Sequence, residues 1–102
     1  MERRVSPGVE AIAAERRRQI EVEGWTHEHD DLHADGQLAE AAACYITPRM
    51  SIINPGFLLR WPWNATWWKP KSRREDFVRA GALIAAEIDR LDRIADRIKE
   101  VK

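Results

Sequence analysis

Four tryptophans stand within eight residues, Trp61, Trp63, Trp67 and Trp68, and a run of cations follows them at once: Lys69, Lys71, Arg73 and Arg74. Indole is the largest apolar side chain, and its single N–H needs an acceptor when buried. Stacking of a base on such a ring is worth about 1–3 kcal/mol. Cations and free backbone N–H groups at a helix start favour an anion. Indoles beside cations are therefore the chemistry of a flat, negatively charged ligand, of which a nucleotide is the plainest example. The competing use is structural, with the same indoles filling the core of a small domain.

Two further sets of residues bear on chemistry. Arg16, Arg17 and Arg18 cover most of the polar girth of one helix, so one guanidinium must lie near its apolar stripe. There it needs a carboxylate such as Glu40 or Glu87, or a ligand phosphate. Trp25, the fifth tryptophan, follows soon after and joins the candidates for stacking. His27, His29 and His33 then stand among Asp30, Asp31 and Asp35. His29 and His33 share a face if the stretch is helical, yet no H-E-x-x-H pattern is present. A solvated acidic turn is the plain reading. The sharper one is a carboxylate-held Mg²⁺ using Asp30, Asp31 and His29 with Glu40 and Glu87. All-α nucleotide pyrophosphohydrolases carry helix-borne acidic clusters of this kind, but their paired E-x-x-E/D motif is matched only weakly, by Asp89 and Asp92.

The elements that must position these groups are helical. Ser6 followed by Pro7 starts one helix, and Gly24 ends it. Asp35 is placed to cap a second helix through Leu38, Ala41, Ala42 and Tyr45, stopped by Thr47-Pro48. Residues 47–71 show neither helical nor alternating period and carry four prolines, which predicts a long ordered loop pinned by its tryptophans. Ser72-Arg73-Arg74-Glu75 is a capping box opening a long C-terminal helix over about 73–99. Along it Phe77, Gly81, Ile84, Ile88, Leu91, Ala95 and Ile98 recur with alternating steps of four and three, a coiled-coil seam. Glu75–Arg79 and Asp89–Arg93 have the spacing of helical ion pairs. With no strand signal, the expectation is one all-α domain over 1–102. It is a bundle of about three helices with a Trp-rich loop, and it forms a homo-oligomer, most simply a dimer, through the C-terminal helix.

Composition narrows the classes. Charged residues are 33% of the chain and sum to zero, but the zero hides two blocks. Seven acids and no Lys or Arg lie between Glu21 and Tyr45, and seven bases lie between Ile46 and Ala80. The acidic block disfavours long nucleic acid. No apolar run approaches the roughly 20 residues of a membrane span, and the N-terminus lacks the apolar region of a signal peptide. The single cysteine, Cys44, excludes an internal disulfide and reads as a buried thiol in a reducing cytoplasm.

The strings Glu15-Arg16-Arg17-Arg18-Gln19-Ile20 with Glu23-Gly24-Trp25 and His29-Asp30-Asp31, then Leu38 to Tyr45 and the Trp61–Pro70 run, resemble a family of small proteins of tailed bacteriophages and prophages. The resemblance covers residues 15–91. It implies a phage accessory protein in the cytoplasm of a bacterial host, where such proteins inhibit defence or adjust nucleotide pools. Small phage proteins of other families act as oligomeric sponges for nucleotide immune signals. The expected function is thus binding, and possible sequestration, of a nucleotide-like anion, with no cofactor. The candidate contacts are Trp25, Trp61, Trp63, Trp67 and Trp68 for stacking and Arg16, Arg17, Lys69, Arg73 and Arg74 for phosphate. The alternatives are a Mg²⁺-dependent pyrophosphohydrolase and a module that docks on a host protein.

Overall fold

The helix starts follow their local caps. In the computed structural model, which describes residues 5–46 and 61–101, the first helix α1 runs Pro7–Glu21, and Ser6 Oγ accepts from Val9 N–H at 3.2 Å. Gly24 takes φ +76° just beyond its end, a left-handed turn that other residues adopt only at a cost. The polar stretch after it is itself helical. Thr26 caps α2 (His27–Asp31), a single turn of helix, by accepting from His29 N–H.

The third helix, α3 (Gln37–Ile46), starts differently from the sequence expectation. Its first intrahelical bond runs from Glu40 N–H to Gly36 O, so Gly36 takes the cap position assigned to Asp35. The chain turns there at φ +86°, which glycine adopts without the steric cost that a Cβ brings, and Asp35 instead donates its N–H to Gln37 Oε1. The proposed Thr47-Pro48 stop, and the loop up to residue 60, lie outside the described residues.

The fourth helix, α4 (Arg73–Val101), spans 29 residues, close to the predicted range. Ser72 Oγ accepts from Glu75 N–H, and the reciprocal contact comes from Asp76, whose Oδ1 accepts from Lys71 N–H at 2.7 Å. Asp76 thereby ties the loop to the helix start. The core lies where Leu38, Ala41, Ala42 and Tyr45 of α3 meet Ala80, Leu83 and Ala86 of α4. Alanines on both sides let the backbones approach closely, and fully buried Leu38 and Leu83 each contribute about 2–3 kcal/mol of burial. Gly81 does the same for α1: a Cβ there would lie 2.6 Å from Ile12 Cδ1.

Ion pairs join the remaining elements. Arg16, buried on α1, binds Asp30 of α2 at 3.0 Å, and Arg93 of α4 binds Asp31 at 2.7 Å. The partner of Arg16 is thus Asp30 rather than Glu40 or Glu87. Arg93 is drawn from Asp89 to α2, while Arg79 donates to Lys69 O rather than pairing with Glu75. Most of the predicted seam of α4 faces away from this core, with Phe77, Ile84, Ile88, Leu91 and Ile98 exposed, whereas Gly81 is covered by Ile12 of α1. Among the described residues the chain is all-α, and none of its helices is long and apolar enough to cross a membrane.

Candidate functional site

Asn64 organises the tryptophan segment. Its side-chain oxygen accepts from Thr66 N–H (2.9 Å) and Thr66 Oγ (2.8 Å), while its carbonyl accepts from Trp61 Nε1 (2.9 Å) and Trp67 N–H (3.0 Å). This turn winds Ala65–Trp67 into one turn of 3-10 helix and aims the indoles in two directions. Trp61 and Trp68 fold inward on buried Tyr45, with ring centroids 5.6 and 4.8 Å away. Trp67 points out and is 56% exposed.

Trp63 joins the inward group to a second set of rings. It lies 5.3 Å from Trp61, 6.0 Å from Trp25 and 5.2 Å from His33. Trp25 in turn stacks on His29 at 5.9 Å with planes only 4° apart, and His29 meets His33 edge-on at 4.8 Å. Between these rings opens a cavity of about 360 Å³, walled by Trp25, His29, Leu32, His33, Trp63 and Trp67. Burial lowers the pKa of His33 from its ordinary value, and the neighbouring His29 lowers it further, so the neutral ring is favoured against the indole.

A second, polar hollow of about 400 Å³ adjoins the first, because Trp25 and Trp67 line both. Its charged groups are Arg18, Lys69 and Arg79 against Glu15 and Glu23. Arg18 grips Glu15 with two hydrogen bonds of 2.7 and 2.9 Å and reaches Glu23 at 2.8 Å. Those bonds, Glu15 first, raise the pKa of Arg18. Burial would raise that of Glu15, but the Arg18 contacts outweigh it and hold the carboxylate ionised. Buried Gln19 also lines the hollow, and its Oε1 has no partner among the described residues; the same holds for Trp63 Nε1 in the neighbouring cavity.

The expected site residues therefore divide. Trp25, Trp63 and Trp67 wall the aromatic cavity, and Lys69 reaches the polar hollow. Trp61 and Trp68 pack on the core, and so do Trp25 and Trp63, which leaves Trp67 as the clustered indole turned outward. Arg16 is 8% exposed and held by Asp30, whereas Arg17 is exposed elsewhere on α1. The Arg73 guanidinium lies 4.6 Å from the Phe77 ring, and Arg74 lines with Lys71 a further groove that shares Glu15, Arg18 and Arg79 with the polar hollow. Arg18, Gln19, Arg79 and His33 were missed as site residues. Arg18 was visible as the third of the arginine run, but nothing in the sequence links Arg79 to a residue 61 positions earlier.

The carboxylates of the metal reading are dispersed. Asp30 binds Arg16, Asp31 binds Arg93, and Glu87 is bonded to Arg90. His29 Nδ1 is 3.3 Å from Asp30 Oδ1. Among the described residues no group of three or more His, Cys, Asp or Glu side chains is placed to hold a metal ion. Cys44 is buried, and burial raises its thiol pKa, as expected of an inert structural thiol. Comparison with known protein families, with curated proteins and with solved structures gave no match.

Proposed function

We propose that this protein binds a nucleotide-like ligand across the two adjoining cavities. The flat base enters the aromatic cavity and stacks on Trp67 or Trp25. The phosphate turns into the polar hollow toward Lys69 and Arg79, while Arg18 is held there by Glu15 and Glu23. The observation that supports this most is the shared wall: Trp25 and Trp67 each face an apolar, ring-lined space on one side and a charged hollow on the other. Both volumes lie within the range of small-molecule sites, about 300–1,000 Å³. In a phage-infected cell, as the family resemblance implies, retention without turnover would withdraw a nucleotide signal from host defence.

The test is a titration of the protein with mono-, di-, cyclic and ADP-ribosyl nucleotides, with and without Mg²⁺, followed by indole fluorescence and thermal shift. The expected result is quenching with one nucleotide class and recovery of that nucleotide intact. Trp67→Ala should weaken binding by about 5- to 150-fold, the equivalent of about 1–3 kcal/mol of stacking, and Lys69→Ala should weaken it further. Nucleotide recovered cleaved only with Mg²⁺ would instead favour the pyrophosphohydrolase reading with Glu40, Glu87, Asp30 and Asp31. No response to any nucleotide would refute both.

A further inference from the structure

The long helix is buried on one side only. Ala80, Leu83 and Ala86 face α3 and Arg90 is buried, while Phe77, Ile84, Ile88, Leu91 and Ile98 lie on another face with exposures of 42 to 54%. Half-open side chains of this size expose on the order of 500 Å² of apolar surface, at the upper end of the roughly 300–600 Å² patch found on a monomer. A stable interface takes about 800 Å² from each partner, with about 60% of it apolar. The ridge therefore supplies the apolar content of one standard interface. Its seven-residue period over about three heptads is that of a helix packed along its length on another helix.

We propose that this ridge is a homodimer interface, formed by α4 of two copies running antiparallel with the two-fold axis between Asp89 and Arg90. Volume and charge both favour this arrangement, whether or not the cavities bind a ligand. In heptad terms Gly81, Ile88 and Ala95 occupy one core position and Phe77, Ile84, Leu91 and Ile98 the other. In a parallel pair each residue faces its own copy, so Ala95 meets Ala95, leaving a gap between bulky layers. Parallel pairing also sets Glu87 against Asp92 of the other helix, two acids at the flanking positions. In the antiparallel register proposed, Ile88 packs on the partner's Leu91 and Ile84 on the partner's Ala95. Ile98 reaches the level of the partner's Gly81, where Ile12 of that copy already fills the space of the missing side chain. Ala95, the small seam residue left exposed in the single chain, then faces a large one. The acids are separated too: Asp92 lies opposite Ala85 and Glu87 opposite Ile94. A slip by one heptad toward the C-terminus brings Asp92 onto its own copy, which fixes the register.

Sedimentation equilibrium over a concentration series should show a monomer–dimer equilibrium. Leu91→Lys and Ile98→Lys should each raise its dissociation constant by on the order of a hundredfold, because a lysine in an apolar core must be desolvated. Both positions are exposed in the single chain, so helical circular dichroism should not change. Spin labels at Lys99→Cys, in a Cys44→Ala background, read the direction. Antiparallel packing separates the two labels by about 28 Å along the axis, from 1.5 Å of rise per residue. Parallel packing holds them near the interhelical spacing of about 10 Å. A monomer at every concentration, a dimer unaffected by Leu91→Lys, or labels at the short separation would overturn the proposal.

Discussion

Replacing Asp30 with asparagine keeps the shape of a fully buried side chain and removes only its charge. Asp30 is 0% exposed and its Oδ2 accepts from Arg16 Nη2 at 3.0 Å. The guanidinium has little else: Nε and Nη1 have no partner among the described residues, and the half-exposed Asp89 is 4.0 Å away. Leaving a buried charge without its counter-ion costs about 3–5 kcal/mol. Asparagine can still accept one hydrogen bond, so the lower end, about 3 kcal/mol, applies to Asp30→Asn. At about 4–8 °C per kcal/mol for a domain of this size, the melting temperature should fall by roughly 15 °C. Thermal and urea unfolding followed by circular dichroism measure this. A second effect is expected at the site, since His29, next to Asp30, stacks on Trp25. Loosening α2 should shift indole emission below the main transition. The double variant Arg16→Met with Asp30→Leu should lose less than Asp30→Asn alone, because it removes both charges. A cost below about 1 kcal/mol for Asp30→Asn would show that the pair does not hold α2 to α1, and would refute the reasoning.

Three other outcomes follow from particular contacts. Gly81→Ala gains up to about 1 kcal/mol of helix propensity, but its Cβ would meet three carbons of Ile12 at 2.6, 2.9 and 3.3 Å. Net destabilisation of about 1–2 kcal/mol is expected from this overpacking, with relief on adding Ile12→Ala, and a stabilised single variant would contradict the α1–α4 packing. His33 has its pKa lowered in the fold, so the unfolded chain binds the extra proton first. Its contribution to stability is complete above the ordinary value of 6.5 and declines as pH falls from there through the folded pKa. His33→Gln should therefore flatten the drop in melting temperature between neutral and mildly acidic pH, and parallel curves for the two proteins would argue against a buried neutral ring. Asn64→Ala removes the acceptor for Thr66 N–H and Oγ. A loss of about 1–2 kcal/mol should appear as altered Trp67 emission and weaker ligand binding with little change in helix content; an unmoved spectrum would mean that the turn does not aim the indole.

The helix boundaries were legible wherever the signal is local. Ser6 with Pro7, Gly24, and Ser72 are read by their own next few residues, and the structure uses each of them. Asp35 was misread because its choice between capping and turning depends on the left-handed geometry that Gly36 supplies. The α4 seam was visible as a period, but the period did not show that α3 would pack instead on Ala80, Leu83 and Ala86. The division of the tryptophans was not visible. Trp61 and Trp68 pack on Tyr45 while Trp67 turns outward, and that outcome is set by the Asn64 turn and by a tyrosine more than 15 positions away. Ion pairs followed the same rule. Helical spacing suggested Asp89–Arg93 and Glu75–Arg79, but α2 and the loop compete for both arginines through contacts up to 62 residues apart. Composition names the charges available, and tertiary packing chooses among them.

The claim at the centre of this account is that one ligand uses ring and charge together at the Trp25–Trp67 wall. Calorimetric titration of the wild-type protein with a nucleotide and with its phosphate-free nucleoside tests it directly. The account predicts saturable binding of the nucleotide, at least about tenfold weaker binding of the nucleoside as one charge-assisted contact is lost, and loss of that difference in Lys69→Ala. Equal affinities for the two, or no heat with either, would contradict it.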